Sequence, residues 1–257
     1  VSEENFADRL LGAIEAKRSH VVVGLDPAYE QLPPELRDAH PREAYSCDEE
    51  MRVACYREFL TTLLEGLQSE AVAVKPQIAY FEALGSQGYA LYENVVAMAV
   101  GLGYLVIADA KRGDIGSTAE AYARAHLDVA GADAVTVNPY FGSDGLEPFF
   151  QRTRDCGKGV FVLVKTSNAS STEIQDLELA AGGPLYQRVG DLVNAWGAGS
   201  KGLRGYQSVG AVVGGTHPAQ GAELRRRMPG VPFLVPGYGA QGAQADDLRG
   251  LFDENGT

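Results

Sequence analysis

Seven short apolar runs, each followed by a longer stretch of helical pattern, repeat along this 257-residue chain. The predicted strands cover residues 20–26, 71–77, 104–109, 132–138, 159–166, 208–214 and 232–236. Several are unbroken Val, Ile, Leu and Ala, as expected of parallel strands covered on both faces. The predicted helices cover residues 6–18, 48–69, 79–101, 117–130, 143–156, 184–198, 218–228 and 241–252. Repeated βα units make a parallel-sheet α/β fold, and seven of them point to a (β/α)8 barrel whose eighth strand is missing. A doubly wound sheet competes, but no glycine-rich dinucleotide fingerprint follows the first strand. A hydrophobic content of 45% suits one large core, so residues 1–257 are expected to form a single barrel domain.

The formal net charge is −12. Nonspecific nucleic-acid binding relies on Lys and Arg neutralising phosphates, so it is disfavoured here. An anionic small substrate would need a locally basic pocket. No apolar run approaches the length of a membrane span, and no signal-peptide pattern opens the chain. Cys47, Cys55 and Cys156 form no Cys-x-x-Cys, which predicts reduced thiols in a cytoplasmic protein. His20, His40 and His126 have no metal-ligand spacing, and no metal is expected.

The stretch 105–118 ends an apolar strand in Asp109, Lys111 and Asp114, three charges within six residues. Strand side chains alternate, so Asp109 and Lys111 are expected to face the same way. Gly113 and Gly116 let the chain turn, and Ser117 can open a helix. Such a cluster is costly to desolvate unless chemistry requires it. For Asp-x-Lys alone, a satisfied ion pair at a sheet rim is the competing reading. Two long connections, 27–47 with four prolines and the polar 167–183, read as binding loops or lids.

The 105–118 string resembles the active-site motif of the orotidine 5′-phosphate decarboxylase family, in its long bacterial branch. Gly24-Leu-Asp-Pro27, Val74-Lys-Pro-Gln77, Val164-Lys-Thr-Ser-Asn168 and Pro236-Gly-Tyr-Gly-Ala-Gln-Gly242 resemble it in the same order. The resemblance implies cofactor-free decarboxylation of orotidine 5′-phosphate to UMP and CO2. It implies a Lys-Asp-Lys-Asp array of Lys75, Asp109, Lys111 and Asp114. Asp26 and Thr118 match ribose-binding residues, Ser167 the pyrimidine contact, and Gln241 a bridge between base and phosphate. Loops after strands seven and eight commonly hold phosphate in such a barrel, so Gly237 and Gly239 are expected in a phosphate loop; the competing reading makes them turn formers and Gln241 a helix-entry residue. The resemblance also implies a homodimer with shared active sites, into which Asp114, Ile115 and Thr118 reach from the partner.

The chemistry accounts for the charges. Losing CO2 from C6 leaves an in-plane carbanion that no adjacent π system delocalises. A preorganised ammonium stabilises that charge and can then protonate it, which is the role expected of Lys111. Asp109 and Asp114 flank it with opposite charge, which favours the ammonium form.

Two departures from the family pattern stand out. Ala169 and Ser170 replace a usual Pro-Gly in the strand-five loop, and the chain stops at Thr257. The expectation is that the natural protein continues into an eighth strand and a loop carrying a phosphate-binding arginine. Other readings remain in play. Lys165 could serve as a Schiff-base lysine, which needs a depressed pKa. Metal-assisted sugar-phosphate decarboxylases share Asp-x-Lys-x-x-Asp. A nonenzymatic relative would bind UMP and leave orotidylate unchanged. His217 reads as a supporting or surface histidine.

Overall fold

The computed structural model describes residues 4–239 and 242–257. Among them are seven strands: β1 (Val22–Leu25), β2 (Ala73–Pro76), β3 (Leu105–Arg112), β4 (Ala134–Val137), β5 (Gly159–Lys165), β6 (Val209–Val213) and β7 (Phe233–Leu234). Each coincides with one of the expected apolar runs. Strand order follows chain order, β1 to β7, as successive βα units require.

The helices are α1 (Phe6–Lys17), α2 (Pro34–Ala39), α3 (Asp48–Gly66), α4 (Ile78–Glu82), α5 (Gly85–Gly101), α6 (Gly116–Ala123), α7 (Gly142–Asp155), α8 (Thr172–Gln175), α9 (Leu185–Trp196), α10 (Pro218–Arg227) and α11 (Ala245–Leu248). The helix expected over 79–101 is two helices. It breaks at Ala83 and Leu84, and Gly85 adopts φ 67°, a conformation that favours glycine. The helix expected over 117–130 starts at Gly116 and passes into a π-helical turn over Arg124–Val129. The excursion over 27–47 contains α2, with Pro34 in its first turn, where a missing N–H costs nothing.

The chain divides into two compact units. One comprises Gly12–Ala110 and Ala123–Val135. Its ladders are parallel, with Gly24 opposite Lys75 and Val74 opposite Val106. Its core includes Leu60, Leu64, Phe81, Tyr92 and Ile107, all fully buried. The Tyr92 hydroxyl lies 3.1 Å from His126 Nδ1, so His126 is a satisfied core histidine.

The other unit comprises Val1–Leu11, Lys111–Tyr122 and Thr136–Thr257. Its β5, β6 and β7 pair in parallel. Phe6 and Phe161 meet edge to face at 5.9 Å. Gly159 and Gly210 make room for these rings: a Cβ would stand 2.4 Å from Phe6 at one and 2.6 Å from Phe161 at the other. Burying each ring contributes about 2–3 kcal/mol. Arg225 is buried, its guanidinium donates to the carbonyls of Leu251, Met228 and Val231, and it lies 3.5 Å above the Phe233 ring centroid. It thereby ties the segment after α11 to α10 and β7.

Candidate active site

Parallel βα units place polar residues where strands end, and the chain does this repeatedly. In the first unit, Lys75 Nζ donates to Asp109 Oδ2 at 2.9 Å, and Gln77 Nε2 donates to the same oxygen at 3.0 Å. The Lys75 and Asp109 side chains are 16% and 8% exposed. Asp109 is thus a nearly buried carboxylate held by a cation and an amide. Gln77 joins this group, a position to which the sequence reading assigned no role. The signal was available: it is two residues beyond Lys75 and pairs with Asp109 across β2 and β3. Asp26 follows β1 directly and is exposed, and Gly24 leaves its carboxylate room: a Cβ there would sit 3.3 Å from Oδ1.

In the second unit, Lys111 is exposed and has φ 47°, one of two non-glycine residues at positive φ among the described residues. The strict alternation expected through Lys111 is therefore interrupted at that residue, because a left-handed residue breaks the pleat. Two bonds hold the backbone there. The Lys111 N–H donates to Thr136 Oγ1 at 2.9 Å, and the Asn138 N–H donates to the Arg112 carbonyl at 2.8 Å. The loop that follows is closely packed. A Cβ on Gly113 would lie 3.2 Å from the Asn138 carbonyl oxygen, and one on Gly145 would lie 2.8 Å from that of Asp114. Asp114 Oδ1 accepts from the Ile115 N–H at 2.8 Å, and the Thr118 N–H donates to the Ile115 carbonyl. Ile115, Tyr140 and Phe141 are exposed apolar side chains of this unit.

Ser167 follows β5. Its carbonyl accepts from Thr216 Oγ1 at 3.0 Å, and Gly214 permits a close approach: a Cβ there would stand 2.7 Å from the Ser167 Cα. Gly237 and Gly239 have φ 112° and 78°, and the Ala243 N–H donates to the Gly237 carbonyl at 3.0 Å. Gln241 lies outside the described residues.

Lys165 does not fit a Schiff-base nucleophile. Its side chain is 0% exposed and its Nζ donates to Asp176 Oδ1 at 2.6 Å. A nucleophilic lysine must reach a carbonyl carbon as a free amine. His217 sits nearby, with Nε2 3.4 Å from Ser171 Oγ. Burial, and then the charge of Lys165, hold its pKa below the ordinary histidine value, although Asp176 and a backbone hydrogen bond at Thr166 pull the other way. No group of three or more His, Cys, Asp or Glu among the described residues is placed to hold a metal ion. No helix among them is long and apolar enough to cross a membrane.

Comparison with known proteins gives the chain named relatives. The chain is 44% identical to orotidine 5′-phosphate decarboxylase of Rhodopirellula baltica, over 98% of this chain and 84% of that one. It resembles the structure of Leishmania donovani OMP decarboxylase with a TM-score of 0.73 at 36% identity, covering 91% of this chain and 80% of that one. It resembles the structure of Leishmania donovani UMP synthase with a TM-score of 0.81 at 36% identity, covering 99% of this chain and 49% of that one. The chain therefore spans about half the length of that UMP synthase, and the fold is that of the (β/α)8 barrel. The family model for "Orotidine 5′-phosphate decarboxylase / HUMPS family" matches residues 19–255. The chain belongs to the orotidine 5′-phosphate decarboxylase / HUMPS family.

Proposed function

We propose that Lys111 carries the chemistry of this chain and that it works without a cofactor. The reaction is decarboxylation of orotidine 5′-phosphate to UMP and CO2, in pyrimidine biosynthesis. The bond from C6 to the carboxylate breaks, its electron pair stays on C6, and CO2 departs. The Lys111 ammonium stabilises that pair and then gives C6 a proton. Only interactions that grow toward the transition state accelerate this step, so a fixed charge is worth more than a mobile one.

The observation that carries the reading is the backbone of Lys111. A lysine at φ 47° at a strand end is strained, and such strain persists where the surroundings fix it for a purpose. The Lys75–Asp109–Gln77 group supports it, because a carboxylate so held adds fixed charge at the end of β3. Asp114 completes the array. Asp26 and Thr118 bind the ribose, Ser167 meets the pyrimidine, and Gln241 and Gly239 serve the phosphate side. Residues 1–257 act as one barrel domain, a reading supported by a single family model that spans parts of both compact units.

The test is Lys111→Ala. Turnover is expected to fall at least about a thousandfold while UMP affinity changes only a few-fold. Near wild-type turnover would remove Lys111 from this role. Full activity is expected after exhaustive EDTA dialysis. Activity restored only by a divalent metal would favour the sugar-phosphate chemistry that relatives of this motif perform.

The working form is a homodimer with shared sites, supported by the exposed apolar Ile115, Tyr140 and Phe141 around the Asp114 loop. Mixed Lys111→Ala and Asp114→Asn chains are expected to regain activity through heterodimers. Heterodimers without activity would exclude sharing. A cytoplasmic location is supported by three free cysteines.

A further inference from the structure

The loop after β5 closes on itself at its neck. Lys165 Nζ donates to Asp176 Oδ1 at 2.6 Å across 11 residues. One residue along on each side, the Thr166 N–H donates to Gln175 Oε1 at 2.9 Å, and Gln175 Nε2 returns a bond to Thr166 Oγ1 at 2.8 Å. Three bonds thus join residues 165–166 to residues 175–176. Ser167 is the first residue inside the closed loop. Its other flank is fixed by the Thr216 hydroxyl and by the close approach of Gly214.

The pair is an unusual way to gain stability. Lys165 is wholly buried while Asp176 is 30% exposed, so the desolvation cost falls mainly on the ammonium. Buried pairs of this kind are often no more stabilising than apolar residues of the same volume, and the best-attested use of such groups is to fix one arrangement among several. Nothing else on β5 needs a lysine there: Val160, Phe161, Val162 and Val164 are buried apolar residues. Ala169 and Ser170 lie inside this same loop.

We propose that Lys165, Asp176 and Gln175 form a clasp that positions Ser167 for the substrate, with none of the three touching the substrate itself. The proposal rests on the reading of Ser167 as a substrate contact. It makes Lys165 a positioning residue rather than a catalytic one.

The experiment compares Asp176→Asn, Gln175→Leu, Ser167→Ala and the Asp176→Asn/Ser167→Ala pair with wild type, well below their melting temperatures. Gln175→Leu removes only neutral bonds and serves if Asp176→Asn does not fold. Two readouts are taken: kcat and KM for orotidine 5′-phosphate, and amide hydrogen exchange across residues 163–177. The clasp is expected to show as faster exchange confined to that stretch and a KM raised about tenfold, with kcat changed less than about threefold. The double variant is expected to be no worse than about twofold beyond the more affected single, because both changes act on one contact. Unchanged exchange in Gln175→Leu, or fully multiplicative effects of Asp176→Asn and Ser167→Ala, would overturn the clasp. Wild-type kinetics in Ser167→Ala would instead overturn the reading of Ser167, and exchange alone would then judge whether the clasp holds the loop.

Discussion

Two lysine–aspartate pairs stand at strand ends of this chain, and they differ in which partner is hidden. In the Lys75–Asp109 pair the carboxylate is the more buried group, the lysine retains some exposure, and Gln77 adds a second bond. In the Lys165–Asp176 pair the ammonium is sealed and the carboxylate faces outward. The first joins two neighbouring strands and the second closes one loop. Residue type and strand position are alike, so access distinguishes a lysine that can face a substrate from one that holds the chain.

The sharpest way to break this contrast is to remove both lysines in turn. Lys75→Met is expected to lower kcat by about 100- to 1,000-fold, as for loss of one preorganised charge. Lys165→Met is expected to act mainly on KM. Equal kcat losses in steady-state assays would erase the distinction. Stability offers a second comparison. Asp176→Asn takes the counter-charge from a sealed ammonium and is expected to cost about 3 kcal/mol, whereas Lys165→Met leaves a partly solvated carboxylate and costs about 1 kcal/mol. Urea denaturation of both variants reads this order, and the reverse order would mean that the carboxylate is the costlier group to strand.

A smaller effect is expected at Gln77→Leu, about tenfold in kcat/KM, because Asp109 would keep Lys75 but lose one bond. Thermal melts that fall while kcat/KM stays unchanged would assign Gln77 to stability alone.

The smallest effect belongs to His217. Its pKa is lowered in the folded chain, first by burial and then by Lys165. Above pH 6.5 folded and unfolded chains both hold it mostly neutral. As pH falls below 6.5 the unfolded chain takes up the proton first, so folding loses stability toward acid. His217→Gln is therefore expected to narrow the difference in melting temperature between about pH 7.5 and about pH 5.5. An unchanged difference would show that His217 is not linked to folding.

These contrasts were unevenly written in the sequence. All seven strands were legible because buried parallel strands read as continuous apolar runs. The break between α4 and α5 was not, since apolar spacing continues across it and only the backbone of Gly85 reveals the turn. Lys75 and Asp109 were placed in one array by the family resemblance, with Asp109 expected to flank Lys111, so the bond between Lys75 and Asp109 came from the structure; Gln77 was within reach of the period of two. The clasp was out of reach, because Asp176 lies in a polar loop with no periodicity to link it to Lys165. The backbone of Lys111 was equally hidden: alternation was read straight through a residue whose φ interrupts it.

That φ has a consequence for anyone improving this protein by selection. Glycine would occupy position 111 with less strain, by roughly 1 kcal/mol, so a screen for heat resistance alone would favour discarding the lysine. Selection for the catalytic role proposed for Lys111 would pull the other way. On that proposal, position 111 sets robustness against usefulness, and a library that scores both would find its steepest trade-off there.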